Sequence, residues 1–254
     1  MIKIFRHIRQ SLIIENKTSK YFKYAIGEII LVVIGILIAL QINNWNEEHT
    51  ERNIEKAYMN NLLEDLKEDL IKYDKFQTSN KEIYTLIDSI IPNLKSENRR
   101  QKISQLTYWC RMITIKWHSA YPVERTFEQM KSSGHLRLIK DKEIANNISN
   151  YYNSLVEFEG YNEAGMLWAQ DYVSALSKIY DAEIMMKILR SREMEKASES
   201  DLLTEDPIIL NQLMVSLGYF NGALSLGESV SLEREKDAKE LIEMIQLKYN
   251  LSHD

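Results

Sequence analysis

Ile29 to Leu40 form twelve consecutive apolar residues, IILVVIGILIAL, and from Ala25 to Ile42 only Glu28 and Gln41 interrupt the apolar character. A helix rising about 1.5 Å per residue carries that longer stretch across roughly 27 Å, close to the hydrocarbon thickness of a bilayer. The uninterrupted part has a length shared by buried core helices and signal-peptide h-regions, so the flanks have to decide. Tyr21, Phe22 and Tyr24 precede the stretch and Trp45 follows it. Tyr21, Tyr24 and Trp45 are therefore candidate interface anchors at the two headgroup levels. Cleavage by a signal peptidase would want small residues at −3 and −1, yet Ala39 has Leu37 two places before it. The pattern predicts a transmembrane helix over 24–45.

Beyond Trp45 the helical period continues through Ile54, Ala57, Tyr58, Leu62, Leu66, Leu70 and Tyr73, without Gly or Pro until Pro92. A rod unbroken from Ala25 to about Phe76 would be roughly 78 Å long. Glu64/Glu68 and Asp65/Asp69 are i, i+4 carboxylate pairs on it. A cation site could be imagined there, but like charges so spaced are expected to mark a solvated face. Ile83, Leu86, Ile87, Ile90 and Leu94 predict a second helix that Pro92 ends or kinks, followed by SENRRQK as a loop. ISQLTYWCRMITIKW, Ile103 to Trp117, is rich in β-branched and aromatic residues and leans towards helix. The chain should turn at Tyr121-Pro122, resume a helix over Val123 to Lys131, and end it at Gly134 in a left-handed cap. Asp141 can cap the next helix, with Ile144, Ile148, Tyr151, Leu155 and Phe158 on one stripe. Further helices are expected over Tyr161 to about Lys196 and, from the Asp206-Pro207 start signal, over Ile208 to about Tyr249 with interruptions near Gly218 to Gly227. Gly218, Gly222, Ser225 and Ser229 share one face, a helix-packing seam expected in the domain's own core or across an oligomer interface. The predicted fold class is all-α: one N-terminal membrane helix, then a helical bundle with a long membrane-proximal helix.

Charge sets the orientation. Residues 1–23 carry six Lys and Arg against Glu15, and 24–45 carry none. The N-terminus is therefore expected in the cytoplasm. MIKIFRHIRQSLIIE places Ile4, Ile8 and Leu12 on one stripe beside basic Lys3, Arg6 and Arg9, a pattern for lying in the inner headgroup layer and fixing topology. Residues 46–254 hold 26 Lys and Arg against 35 Asp and Glu, an acidic extracytoplasmic domain that argues against nucleic-acid binding.

Catalytic chemistry is not legible. His7, His49, His118, His135 and His253 are scattered, and none has a glutamate three positions before it as di-iron bundles require. Phosphate-binding glycine loops, H-E-x-x-H and G-x-S-x-G are missing from the sequence. His135 beside Ser132 and Ser133 is better explained as a helix-end turn. Cys110, the single cysteine, sits between Trp109 and Met112 with Arg111 and is expected as a small buried hydrophobe. No catalytic residue, metal ligand or cofactor is assigned, and the chain is not expected to be an enzyme. Within the membrane helix, Glu28, Gly35 and Ala39 fall near one face. That seam suits helix–helix contact in lipid, and Glu28 is also shallow enough to reach the inner headgroups.

YAIGEIILVVIGILIALQINNWNEE, Tyr24 to Glu48, with the preceding ENKTSKYFK, resembles the N-terminal signature of a family of uncharacterised bacterial membrane proteins, a domain of unknown function. FEQMKSSGHLRLIKDKEIANNISNYY, Phe127 to Tyr152, is similar to the ectodomain segment of that family. The resemblance implies a single inner-membrane span and a helical periplasmic region, and no activity, substrate or catalytic residue. The expected organisation is a cytoplasmic basic amphipathic segment over 1–23, the span over 24–45 and a periplasmic helical domain over 46–254. The expected role is a scaffold or interaction subunit of an envelope complex, with the lipid bilayer and a protein partner or second copy as its contacts. A signal-transmitting module acting on a cytoplasmic partner is the alternative.

Overall fold

The computed structural model describes residues 18–251; the side chains of 18–21, 24, 157 and 158 lie outside the description. The amphipathic segment before Glu15, the Tyr21, Tyr24 and Phe158 side chains, His7 and His253 therefore lie outside the described residues. The described chain is all-α, with Tyr180 and Leu202 forming an isolated antiparallel bridge. Its six α-helices are α1 (Thr18–Lys95), α2 (Ile103–Lys116), α3 (Arg125–Ser132), α4 (Lys142–Leu176), α5 (Ala182–Ser191) and α6 (Pro207–Tyr249), with short 3-10 turns at Glu97–Lys102, His135–Leu138 and Glu199–Asp201. Two compact units divide the chain after Lys56.

The first unit consists, among the described residues, of the early part of α1. This helix is long and apolar enough to cross a membrane, and none of its most apolar window is buried. Ile29, Leu31, Leu37 and Ile42 are all more than half exposed.

From Ala57 onward α1 turns one face inward. Met59, Leu62, Leu66, Tyr73, Ile83 and Ile90 on that face are fully buried. Ile83, Ile87, Ile90 and Leu94 pack with Leu106, Cys110 and Ile113 of α2, with Tyr172 and Leu176 of α4, and with Leu213, Leu217 and Phe220 of α6. The α4 helix packs chiefly on α6, and α2 on α5. Tyr73 and Phe76 form a separate small core with Ala120 and Val230.

Several expected helix boundaries shift. No break separates the rod from the Ile83–Leu94 stripe: α1 runs on to Lys95, and Pro92 falls in its closing turn, where only one backbone bond, to Asp88, is lost. SENRRQK is a 3-10 turn capped by Ser96, whose hydroxyl accepts from Asn98 N at 3.2 Å. The expected division before Tyr161 is not there either. A single helix, α4, passes through Gly160 and Gly165, ends at Leu176, and leaves residues 177–181 as a turn before α5. Likewise α6 is continuous through Gly218, Gly222 and Gly227. A glycine inside a helix costs only about 1 kcal/mol, and the buried Leu217, Phe220 and Leu224 beside these glycines offset it.

The helix ends follow the local signals more closely. Gly134 is left-handed (φ 69°), and Asp141 accepts from Glu143 N and Ile144 N at 3.0 and 3.2 Å. Asp206 accepts from Ile208 N at 2.8 Å, with Pro207 opening α6. Arg192, also left-handed (φ 62°), ends α5.

Gly227 fits closely against Phe76: a Cβ there would meet Phe76 Cζ at 3.2 Å, whereas one at Gly218 would meet nothing within 4 Å. Gly227→Leu should therefore destabilise the domain by about 1–3 kcal/mol through overpacking. Gly218→Ala should stabilise it by about 0.5–1 kcal/mol through helix propensity. Denaturant midpoints of the two variants in detergent check the contrast.

Candidate functional site

The second unit buries carboxylates. Leu62, Leu66, Asp65, Asp69 and Tyr73 share the inward face of α1, and Asp65 and Asp69 are 1% and 0% exposed. The expectation that both i, i+4 pairs mark a solvated face is corrected for this one; Glu64 stays exposed and Glu68 is half-buried. A buried carboxylate has to be hydrogen-bonded, and the donors come from the non-helical stretch 117–124, from the first turn of α3 and from α4. Asp69 Oδ1 accepts from Val123 N at 2.7 Å. Asp65 Oδ2 accepts from Thr126 N at 3.0 Å, and its Oδ1 from Arg125 Nε at 2.7 Å.

Thr126 N is one of the unpaired donors in the first turn of α3, whose own cap residue, Glu124, makes no side-chain cap bond. Asp65 therefore caps α3 from a different helix. The Arg125 guanidinium also reaches Glu68 Oε2 at 3.1 Å, and Lys72 pairs with Glu68 Oε1 at 3.0 Å. From α4, Asn162 Nδ2 donates to Ala120 O at 2.8 Å, so the 117–124 segment is pinned from a second helix.

Tyr151 of α4 completes the cluster. Its hydroxyl donates to Asp69 Oδ2 at 2.7 Å and lies 3.0 Å from the Tyr73 hydroxyl. Phe127 stacks on Tyr152 with centroids 4.3 Å apart, and Tyr151 meets Tyr152 edge-on at 5.1 Å. Burial pushes the Tyr73, Tyr151 and Tyr152 hydroxyls well above their ordinary range, which keeps them protonated. Burial also pushes the Asp69 carboxyl up to about 6, with the Tyr151 and Val123 hydrogen bonds working against the rise. The Lys72 hydrogen bond, followed by the charges of Lys72 and Arg125, holds Glu68 below its usual value.

Tyr151 also lines a cleft of about 270 Å³ with Asn147, Asn150, Arg234, Asp237 and Met244. Arg234 Nη1 reaches Asp237 Oδ2 at 3.1 Å and bonds Ser154 Oγ, and Nη2 reaches Glu233 Oε1 at 2.9 Å. Chemically, the arrangement fastens α1 to α3 through Asp65 and to the 117–124 segment and α4 through Asp69. Among the described residues no group of three or more His, Cys, Asp or Glu could hold a metal ion.

The residues singled out from the sequence fall elsewhere. Gly35 and Ala39 are exposed and Glu28 is half-exposed on the apolar part of α1. Trp45, 67% exposed, stacks on His49 with centroids 6.0 Å apart. Gly218, Gly222, Ser225 and Ser229 are all exposed, so the seam does not pack in the domain's own core. Cys110 is fully buried, its thiol pushed up to about 12 by burial, and Tyr172 donates to its carbonyl at 2.7 Å. Ser132 and Ser133 donate back to Gln129 O, a helix-end turn as expected, and His135 Nδ1 lies 3.0 Å from the Tyr58 hydroxyl. The missed carboxylates carried one signal: Asp65 and Asp69 interrupt the Leu62–Leu66–Tyr73 stripe on its apolar side.

A family model described as "Family of unknown function (DUF6090)" matches residues 28–204, more than half of the chain. No curated protein and no solved structure matches it.

The raised Asp69 carboxyl has a defined sign. Its native state binds the proton more tightly than the unfolded chain, so its contribution is fullest below about pH 4 and is lost as pH rises through about 6. Asn at this position is neutral throughout. The stability of the native protein minus that of Asp69→Asn should fall by about 2 kcal/mol between pH 4 and pH 7. Unfolding measured in parallel on the two proteins across that range checks it; a flat difference contradicts a buried, titrating Asp69.

Proposed function

We propose a role for a chain that belongs to this family of unknown function, a premise that supplies no activity to transfer. It is a membrane-anchored interaction subunit, a non-enzymatic scaffold of an envelope complex. The helix over 24–45 spans the inner membrane once, the basic segment 1–23 stays in the cytoplasm, and the acidic helical domain is periplasmic. The charge asymmetry around the apolar stretch supports that orientation. The exposure of Ile29, Leu31 and Leu37 supports lipid as the surroundings of that stretch.

The observation that carries the interaction role is the outer face of α6. From Pro207 to Leu232, Glu228 is the single charged residue in an otherwise acidic domain. Ile208, Val215, Tyr219 and Leu226 stand 71, 48, 58 and 58% exposed along that face. The exposed Gly218 and Gly222 between them let another helix approach closely. Tyr219 stacks on Trp168 of α4 with centroids 4.8 Å apart, which holds its ring in place. Exposed apolar side chains on a face almost without charge are characteristic of the centre of protein interfaces. The partner is another envelope protein or a second copy of this chain.

A signal-transmitting role is the second reading. It is favoured by the unbroken course of α1 from the apolar stretch to the helix that carries Asp69. The short N-terminal segment would then act on a cytoplasmic partner.

Two experiments on the full chain in native membranes test the proposal. A photocrosslinker attached at Val215→Cys should give one adduct of defined mass, and adding Ile208→Glu/Leu226→Glu to that variant should abolish it; a triple variant that still captures the same protein defeats the α6 interface. Cysteines at Gly35→Cys and Ala39→Cys should form disulfide-linked dimers if the membrane seam joins two copies. Wholly monomeric chains would exclude self-association through the span.

A further inference from the structure

A second cleft, of about 350 Å³, opens where α2, the end of α4 and the start of α5 meet, a volume within the range of about 300–1,000 Å³ typical of ligand sites. Its walls are mostly apolar: Val173, Leu176, Met185, Met186 and Leu203 line it. Val173, Met186 and Leu203 are 45, 42 and 56% exposed, so hydrophobic side chains stand open at its mouth. Methionines, with three rotatable bonds and a polarisable sulfur, adapt to chains of varied shape.

Arg111 of α2 reaches into this lining. Its Nη1 donates to Thr114 Oγ1 at 3.2 Å, whereas its Nε is buried without a hydrogen-bond partner. The charge nearest it in effect is a second cation: burial first, and then Arg192, lowers the Arg111 pKa from its ordinary value. Asp181, the acidic residue of the lining, spends Oδ1 on capping α5, accepting from Glu183 N at 2.7 Å. Neither Arg111 nor Arg192 has a carboxylate ion pair among the described residues. The Arg111 guanidinium thus lines a mostly apolar cleft without an ion-paired carboxylate, and the acceptor its Nε lacks defines the ligand.

We propose that this cleft binds an anionic amphiphile, its acyl chain against Val173, Leu176, Met185 and Met186 and its carboxylate or phosphate head on Arg111. The head supplies the acceptor that Arg111 Nε lacks. The tail covers the exposed methionine and leucine. The source is either a free fatty acid or a bilayer phospholipid, since both present this chemistry. This site is independent of the α6 interface, and its failure leaves that interface untouched.

The test uses the full chain in phosphatidylcholine nanodiscs with three photoreactive probes carrying a diazirine on the chain: dodecanoic acid, dodecanol and phosphatidylglycerol. The acid or the phosphatidylglycerol should label the peptides that contain Met185/Met186 and Leu203, and dodecanol should not. Labelling by the free acid alone assigns the ligand to a soluble source, and labelling by phosphatidylglycerol assigns it to the bilayer; either supports the site. Arg111→Gln should reduce the labelling about tenfold, the loss expected for one charge-assisted hydrogen bond. Met186→Glu, on the exposed rim, should do the same without disturbing the buried core, which keeps the test decisive if Arg111→Gln fails to fold. Absence of labelling by both anionic probes, equal labelling by dodecanol, or labelling unchanged in Met186→Glu overturns the proposal.

Discussion

A carboxylate withdrawn from water needs hydrogen-bond donors, and in this chain Asp65 and Asp69 take theirs from two backbone N–H groups without intrahelical partners and from the Arg125 and Tyr151 side chains. The exchange is reciprocal. The segment 117–124 and the first turn of α3 carry N–H groups without intrahelical partners, and α1 carries two anions inside a hydrophobic face. Each deficit satisfies the other. The placement of α3, the stacking of Phe127 on Tyr152 and the hydroxyl bond from Tyr151 all depend on that pairing. Removing one member leaves the other buried and unpaired, the costly half of any buried polar interaction.

The residues that hold the domain together and those that offer it to other molecules are separate. The inward face of α1 from Ala57 onward, with α2, α4 and α6, is devoted to core. The outer face of α6 carries almost no charge, and the cleft beside Arg111 is lined mostly by apolar side chains. Early α1, by contrast, is apolar on every side from Ile29 to Leu40 and exposed on nearly every residue, a surface compatible with a membrane anchor. Three kinds of surface therefore coexist on one chain, each set by which residues are left without a partner.

Much of the architecture was legible from the sequence because it is local. Asp141, Asp206-Pro207 and Gly134 signal helix ends through bonds to backbone within three residues, and each appears where expected. The apolar stretch needs only its own composition. What was not legible depends on distant partners. The donors to Asp65 and Asp69 come from 54 to 82 residues away, so an i, i+4 pair of aspartates looks solvated until the chain is folded. The glycines of α4 and α6 suggested breaks, yet packing of their neighbours outweighs a propensity cost of about 1 kcal/mol each. Gly227 is not a breaker at all, because Phe76 occupies the space a side chain would need. The small-residue seam of α6 was expected chiefly in the core and instead faces outward, since the buried face of that helix is carried by Leu213, Leu217, Phe220 and Leu224.

Amide hydrogen exchange on the full chain in a membrane mimetic, resolved at Val123 and Thr126, measures the central pairing most directly. If Asp69 and Asp65 accept these two N–H groups, both amides, although one lies outside any helix, should exchange as slowly as the core of α4 and open only with it. Exchange at the rate of a free loop at either position would contradict the account.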